Sequence, residues 1–129
     1  MNGLTGARVL LAEPDPRYEA MTRGAFARSR LAYDLHVARD GGQALRLLQE
    51  AEAPYSLILL DLDLPGISGL EVLSAIRADP RLAHTAVVML SASTRVEDMV
   101  SSLELGANIY IEKPGVFEDC LHALVDLGR

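Results

Sequence analysis

The chain has 129 residues, the size of one domain, and half of them are apolar, so it can bury a single core and is not disordered. Its net charge of −6 argues against non-specific nucleic-acid binding, which needs an excess of lysine and arginine. The single cysteine, Cys120, excludes an internal disulfide, and no apolar run suits a signal peptide or a membrane span, so we expect a cytoplasmic protein without membrane contact.

Short apolar runs alternate with helical patterns along the whole chain. In chain order, the predicted strands are residues 8–12, 33–37, 57–60, 86–90 and 108–111. A helical pattern follows each strand, at residues 16–26, 41–51, 69–77, 95–103 and 117–124. Each strand therefore has its own helix, which is the pattern of repeated βα units.

Polar residues at the predicted helix starts support these boundaries. Asp15 precedes a proline and has the residue type of a helix N-cap. Asp40 with Gln43 has the spacing of a capping box before the second helix. Thr94 with Glu97 has the same spacing before the fourth helix.

Five alternating strands and helices predict an α/β fold with a five-stranded parallel sheet covered on both faces. The pattern favours the flavodoxin-like, doubly wound (βα)5 arrangement with strand order 2-1-3-4-5. In that order the first, third, fourth and fifth strands end at one edge of the sheet. Their last or following polar residues are Glu13, Asp61, Ser91 and Lys113.

Two carboxylates, a hydroxyl and an ammonium around one point suit phosphoryl transfer, in which charge is stabilised by positioned groups. Asp61 would be the nucleophile and form an acyl phosphate. Lys113 would pair with the phosphate, or with Asp61 when phosphate is absent, and Ser91 would donate a hydrogen bond. Mg²⁺ on carboxylate oxygens would neutralise the phosphoryl oxygens.

The sequence resembles the receiver domain of two-component response regulators over nearly its whole length. The motifs that carry the resemblance are the apolar run into Glu13, residues 60–66, residues 89–92, and residues 106–108 leading to Tyr110 and Lys113-Pro114. Four motifs in order at matching spacing are much more specific than any one of them.

This resemblance implies a role for each matching residue. Asp61 is expected to accept phosphate from a histidine kinase, with Ser91 and Lys113 assisting, and the Asp63 backbone carbonyl is expected to bind Mg²⁺. Ser91 and Tyr110 resemble the switch pair that couples phosphorylation to the face built from the fourth helix, fifth strand and fifth helix. The family is a self-phosphorylating and self-dephosphorylating signalling domain, so no enzyme acting on an external substrate is expected.

One departure from the family pattern concerns the metal. The family has two adjacent acids after the first strand, whereas Pro14 follows Glu13 here. Three consequences stay open: Mg²⁺ binds more weakly, Glu13 itself reaches the metal, or the domain acts without phosphate. The resemblance also implies a cis bond between Lys113 and Pro114.

The segment 105–111, with residues 127–128, is similar to stand-alone regulators paired with phytochrome-type histidine kinases. That similarity implies a homodimer through the fourth helix, fifth strand and fifth helix, where Val100, Leu103 and Leu124 would form a shared apolar patch. Residues 1–129 are expected to be a single receiver domain with no output domain, so DNA binding is not predicted.

Two alternatives belong to other functional classes. The chain could be a degenerate receiver that only binds proteins and does not depend on phosphate. More remotely, Asp61-Leu62-Asp63 resembles the nucleophile motif of haloacid-dehalogenase-like phosphatases. That family has Thr or Val where Pro65 stands and a second acidic pair beyond the lysine, for which the sequence offers only Glu118-Asp119.

Overall fold

A computed structural model describes residues 7–29, 32–113 and 117–127 of the chain. The strands are β1 (Ala7–Ala12), β2 (Tyr33–Ala38), β3 (Leu57–Asp61), β4 (Ala86–Ser91) and β5 (Ile109–Glu112). The helices are α1 (Pro16–Arg28), α2 (Gly41–Glu50), α3 (Gly69–Ala78), α4 (Val96–Glu104) and α5 (Phe117–Leu127). All strand pairs are parallel and the order is β2-β1-β3-β4-β5, which confirms the predicted doubly wound fold.

The central strand β3 is buried on both faces because its side chains alternate between two cores. Ile58 and Leu60 lie in the core between the sheet and helices α2 and α3. Leu59 lies in the opposite core, together with Phe26 of α1 and Phe117 of α5. This double burial explains why the strand reads as a continuous apolar run and fixes the position of Asp61 at its end.

Two glycines let the loop after β3 fold tightly against the sheet edge. Gly66 has a φ of +75°, a left-handed conformation that favours glycine. Gly69 starts α3 so close to β3 that a Cβ there would lie 2.2 Å from the carbonyl oxygen of Asp61. The backbone around Asp61 is therefore set by direct packing of the first turn of α3.

The helix caps match the predictions in full at α1, in part at α2 and not at α4. Asp15 caps α1 as expected, and Ser68 forms a full capping box with Glu71 at α3. At α2, the Asp40 side chain caps the helix by accepting from the backbone N–H of Gln43. The Gln43 side chain accepts from the backbone N–H of Arg39 rather than from that of the N-cap Asp40, so the predicted capping box is only half formed.

The predicted capping box at α4 is wrong. The N-cap is Arg95, whose side chain makes no capping hydrogen bond, and Thr94 therefore lies one residue before the cap. Ser93 instead accepts from the Arg95 backbone N–H through its hydroxyl, at 3.0 Å, and so supports the chain just before the helix. A local turn through Ser93 and Arg95 replaces the expected box, within the four residues that separate the end of β4 at Ser91 from the start of α4 at Val96.

Strand β5 is an edge strand, and the surface beside it is unusually apolar. Helix α4 buries only Ser102. The large apolar side chains that are exposed in the described part of the chain form what we call the α4–β5 apolar patch: Val96, Met99, Val100, Leu103, Leu105 and Ile109. Leu124 of the predicted dimer face, like Pro114 of the predicted cis bond, lies outside the residues whose side chains the structure describes.

None of the helices within the described ranges is both long and apolar enough to cross a bilayer.

Candidate active site

Four polar side chains meet at the carboxyl edge of the sheet, as the strand order predicts. Asp61 and Ser91 end β3 and β4, and Glu13 and Lys113 directly follow β1 and β5. All four are buried, with exposed fractions of 8% or less. Charged groups are buried in proteins only when they are paired, so this cluster needs internal partners.

Lys113 supplies those partners. Its ammonium donates to Glu13 Oε1 at 2.6 Å and to Asp61 Oδ2 at 2.8 Å. Both contacts are charge-assisted hydrogen bonds at short distances in a site that excludes most water. One cation therefore joins two carboxylates that would otherwise repel each other.

The burial of this cluster changes the protonation of its members. Burial raises the pKa of the Glu13 carboxyl, and the hydrogen bonds from Lys113 and from the Asp15 backbone N–H only partly oppose this. Burial also disfavours the Lys113 ammonium, but its bonds to Asp61 and Glu13 outweigh that effect and raise the pKa of Lys113. The lysine is held charged, while Glu13 is the carboxyl that takes up a proton more readily than usual.

Asp61 is held by both of its oxygens. Its Oδ2 accepts from Lys113, and its Oδ1 accepts from the backbone N–H of Asp63 at 2.9 Å. The second bond closes a tight turn after β3, so that the backbone of Asp63 lies beside the carboxylate. The Asp63 side chain itself is exposed, which agrees with a role for its backbone only.

Ser91 and Tyr110 are linked through one residue that the sequence did not single out. The Ser91 hydroxyl accepts from the backbone N–H of Ser93 at 2.9 Å. The Tyr110 hydroxyl lies 3.4 Å from the carbonyl oxygen of the same Ser93, to which it can donate. Ser93 therefore lies between the fully buried hydroxyl at the sheet edge and the half-buried tyrosine on β5.

Two further side chains contact the cluster and carry no motif. Arg39 donates from Nη1 to the backbone carbonyl of Glu13 at 3.2 Å and also pairs with Glu19 of α1. Tyr18 of α1 faces Lys113, whose Nζ lies 4.2 Å from the ring centroid. In the sequence, Tyr18 belongs to the apolar stripe of α1, and nothing there indicates a contact with a residue 95 positions later.

The side chain of Asp15 takes no part in the cluster, although its backbone N–H donates to Glu13 Oε2 at 3.0 Å. It accepts hydrogen bonds from the Arg17 side chain and from the Arg17 backbone N–H, which lower the pKa of the Asp15 carboxyl to about 2. Its carboxylate is used as the N-cap of α1, as expected from the proline that follows it.

The oxygen donors at the edge fit a hydrated Mg²⁺ with few protein ligands. Mg²⁺ commonly keeps several waters and takes one or two carboxylates plus phosphate oxygens. Asp61 and Glu13 both contact one lysine nitrogen, and the Asp63 backbone adjoins Asp61. Pro14 provides no carboxylate, and within the described ranges no three or more acidic, histidine or cysteine side chains form a ready-made metal cluster.

Comparison with known proteins agrees with this geometry. Residues 9–125 match the family described as the response regulator receiver domain. The chain is 33% identical over 117 residues to the response regulator Rcp1 of Synechocystis, covering 86% of this chain and 79% of Rcp1. It is 37% identical over 107 residues to the DNA-binding response regulator MtrA of Mycolicibacterium smegmatis, covering 83% of this chain and 44% of MtrA.

Solved structures give the same result. The phosphorylated cyanobacterial phytochrome response regulator RcpA aligns with a TM-score of 0.88 at 31% identity, over 95% of this chain and 94% of RcpA. The Mn²⁺-bound form of Rcp1 aligns with a TM-score of 0.84 at 29% identity, over 92% and 91% of the two chains. The chain spans less than half the length of several curated relatives, including MtrA.

Proposed function

The chain belongs to the response regulator receiver domain family, and from this premise we propose that it accepts a phosphoryl group on Asp61 from a sensor histidine kinase. The observation that carries the proposal is the contact between Asp61 and Lys113 at the sheet edge, 2.8 Å long and almost closed to water. A buried nucleophilic carboxylate beside a fixed cation is what phosphoryl transfer to an aspartate requires.

In the proposed reaction, one Asp61 carboxylate oxygen forms a bond to phosphorus while the P–N bond of a phosphohistidine breaks. The electron pair of that bond goes to the imidazole nitrogen, which leaves as a neutral ring after proton uptake from solvent. Lys113 moves its contact from the carboxylate to a phosphoryl oxygen, and Ser91 donates a hydrogen bond to another. Hydrolysis of the acyl phosphate by water returns Asp61 and inorganic phosphate.

For the metal we propose Asp61 and the Asp63 backbone carbonyl as ligands. A bound Mg²⁺ supplies charge neutralisation of the phosphoryl oxygens. Glu13 Oε1 accepts from Lys113 and Oε2 accepts from the Asp15 backbone N–H, so this carboxylate adds negative charge close to the metal, either by direct ligation or through bound water. The structure of the similar regulator Rcp1 is a Mn²⁺-bound form, which supports binding of a divalent cation by this chain.

For the output we propose that phosphorylation acts through Ser91, Ser93 and Tyr110. A phosphoryl group that draws the Ser91 hydroxyl away from the Ser93 N–H loosens the turn to which Tyr110 is joined. The change then reaches the α4–β5 apolar patch, which begins three residues after Ser93. The similarity to RcpA, a phosphorylated cyanobacterial phytochrome response regulator, supports a phytochrome-type kinase as the phosphodonor.

The remaining proposals concern the whole protein. Residues 1–129 act as a single receiver unit in the cytoplasm and form a homodimer through α4, β5 and α5. The net charge of −6 favours protein partners over nucleic acid. As a signalling domain, the protein turns over its own acyl phosphate and no external substrate.

One alternative has an observation in its favour. Pro14 removes an acid at the metal site, which is what a degenerate receiver acting only by protein binding would also show. The phosphatase alternative has none: Glu118 and Asp119 are exposed in the first turn of α5, and Glu118 lies 3.8 Å from Arg28 rather than at the sheet edge.

Incubation with phosphoramidate and Mg²⁺, followed by intact-protein mass spectrometry, tests the proposal. We expect one phosphoryl group per chain that is lost on treatment with hydroxylamine, as an acyl phosphate is. A chain that stays unlabelled while a known receiver is labelled in the same buffer would favour the degenerate alternative.

A further inference from the structure

We propose that Tyr18 is a positioning residue for Lys113: its ring face holds the ammonium at Asp61, and phosphoryl transfer depends on that face. The Lys113 Nζ lies 4.2 Å from the Tyr18 ring centroid. This distance is within the range in which an aromatic face attracts a cation. The inference rests on the proposed function, because it concerns the same lysine.

The ring covers the lysine on a side that the carboxylates leave open. A lysine ammonium has three N–H donors, and Glu13 and Asp61 accept from two of them. The Lys113 side chain is nevertheless only 5% exposed. The Tyr18 face therefore stands where water would otherwise solvate the ammonium, and a cation–π contact is strongest where water is excluded.

Tyr18 is held in place by its own helix, α1, and by a contact with α5. Its backbone carbonyl accepts from the Thr22 hydroxyl at 2.7 Å within α1. Its ring meets Phe117 of α5 edge to face, with centroids 5.1 Å apart and an interplanar angle of 89°. Phe117 is fully buried, so the ring that faces Lys113 has a fixed backing.

The ring matters most at the moment when Asp61 changes. When Asp61 becomes an acyl phosphate, Lys113 loses a carboxylate partner and must bind the phosphoryl oxygens instead. Glu13 and Tyr18 do not react, and they contact the ammonium both before and after the step. Of the two, only Tyr18 adds no negative charge near the incoming phosphate, so it holds the lysine without repelling the substrate.

Lys113 is the only lysine of the chain, which makes the test direct. Protein grown with ¹⁵N- and ¹³C-labelled lysine gives a single side-chain ammonium signal. We expect Tyr18→Leu and Tyr18→Met to remove the upfield shift that the ring face gives the Lys113 ε-protons and to speed hydrogen exchange of the ammonium several-fold. Tyr18→Phe keeps the ring and should keep both properties.

Rates of labelling by phosphoramidate with Mg²⁺ give the second readout. Loss of the ring should slow labelling about 3- to 30-fold, and Tyr18→Phe should restore it to within about twofold. In a Lys113→Ala background, Tyr18→Leu should cause no further slowing, because the ring acts through the lysine. The matched control is Tyr33→Leu, which removes a ring stacked on Phe26 in the same core and should leave the labelling rate unchanged.

Wild-type labelling rates in both Tyr18→Leu and Tyr18→Met, or equal slowing by Tyr18→Leu with and without Lys113, would overturn the inference. If the wild type takes no label, the proposed function fails, and the positioning role of Tyr18 is then judged only from hydrogen exchange of the Lys113 ammonium. In that case unchanged exchange in Tyr18→Leu and Tyr18→Met refutes the positioning role, and faster exchange in both supports it.

Discussion

Lys113 neutralises two buried carboxylates, so its removal should destabilise the protein. In Lys113→Met, Glu13 and Asp61 would face each other at the sheet edge without a cation between them. Breaking a buried ion pair from one side typically costs about 3–5 kcal/mol. We therefore expect the free energy of unfolding at pH 7, measured by urea titration without metal, to fall by about 3 kcal/mol. Arg95→Met, which removes an exposed cation, should change it by less than about 0.5 kcal/mol.

The pH dependence of this loss has a definite sign. The pKa of Glu13 is raised in the folded state, so this group stabilises the fold fully only below its ordinary pKa of 4.5. The stabilisation is lost as the pH rises through the raised pKa of the folded state. Lys113 determines the behaviour at high pH. Its stabilisation of the fold is fully present below its ordinary pKa of 10.5 and is lost as the pH rises through its raised pKa in the folded state. The Lys113→Met loss should thus shrink as pH falls toward 4.5, where carboxylates take up protons. An equal loss at pH 7 and pH 4.5 would contradict the buried pair.

Pro14 decides how strongly the site attracts a divalent cation. Pro14→Asp adds a carboxylate beside the metal site. At an effective dielectric constant near 20, the Coulomb attraction between this carboxylate and Mg²⁺ is several kcal/mol, but the cost of desolvating the carboxylate cancels much of it. We expect Mg²⁺ to bind about tenfold more tightly to Pro14→Asp, and phosphorylation by a small donor to be faster. Without metal the variant should melt at a lower temperature, because a third acid joins a crowded cluster.

A calorimetric Mg²⁺ titration of both forms, alongside thermal unfolding without metal, checks this. Equal affinity in the two forms would mean that Pro14 only shapes the loop, and that Glu13 or another acid already completes the site.

The loop from β3 to α3 is the element that fixes Asp61, and Gly69 is its tightest point. A Cβ at Gly69 would lie 2.2 Å from the Asp61 carbonyl oxygen and 2.8 Å from the Leu62 Cα, so backbone must shift. We expect Gly69→Ala to lower the free energy of unfolding by about 1–3 kcal/mol and to slow phosphorylation. Gly24→Ala in α1, where a Cβ meets only the end of a flexible arginine at 3.6 Å, should stabilise by about 0.5–1 kcal/mol. A Gly69→Ala protein as stable as the wild type would refute this packing argument.

Among the elements, β1, β3 and β4 were predictable from the sequence because each is a buried apolar run that ends at or just before a polar residue. β3 is the clearest case, since Ile58, Leu59 and Leu60 enter two cores in alternation. The start of α4 was predicted wrongly because Thr94 and Glu97 have the spacing of a capping box, whereas the chain makes a turn through Ser93 first. The spacing of two residues does not predict the path of the loop between the preceding strand and the helix.

In the whole molecule, only those contacts between distant elements that follow from the strand order could be predicted from the sequence. The meeting of Glu13, Asp61 and Lys113 could be predicted because it follows from strand order. The Tyr18 ring on Lys113 could not, because it depends on the rotation of α1 about its axis and on its packing against α5. The link from Ser91 to Tyr110 could not be predicted either, because it runs through the backbone N–H and carbonyl of Ser93, which every residue type except proline provides.

The α4–β5 apolar patch should cause association in solution. Its members Val96 and Leu103 are 63% and 45% exposed, and β5 leaves an unpaired edge beside them. A two-fold axis there would pair the patch with itself. We expect light scattering to give the mass of a dimer at high concentration, and a larger dimer fraction after phosphorylation.

Leu103→Glu should shift the protein to monomer, because it places like charges across the axis. Ser74→Glu adds the same charge at an exposed position of α3 and should leave the mass unchanged. A wild-type protein that stays monomeric with and without phosphodonor would argue against this surface as a dimer contact.

Site-resolved mass spectrometry after incubation with phosphoramidate and Mg²⁺ shows directly whether Asp61 carries the phosphoryl group. Asp61→Asn is nearly isosteric but lacks the nucleophile, and Asp34→Asn replaces an exposed carboxylate on the edge strand β2 as a control. We predict that the wild type and Asp34→Asn gain one phosphoryl group, and that borohydride reduction of the wild type locates it at Asp61. Asp61→Asn should melt cooperatively and gain none. Labelling of Asp61→Asn to the wild-type extent would show that a residue other than Asp61 carries the phosphoryl group.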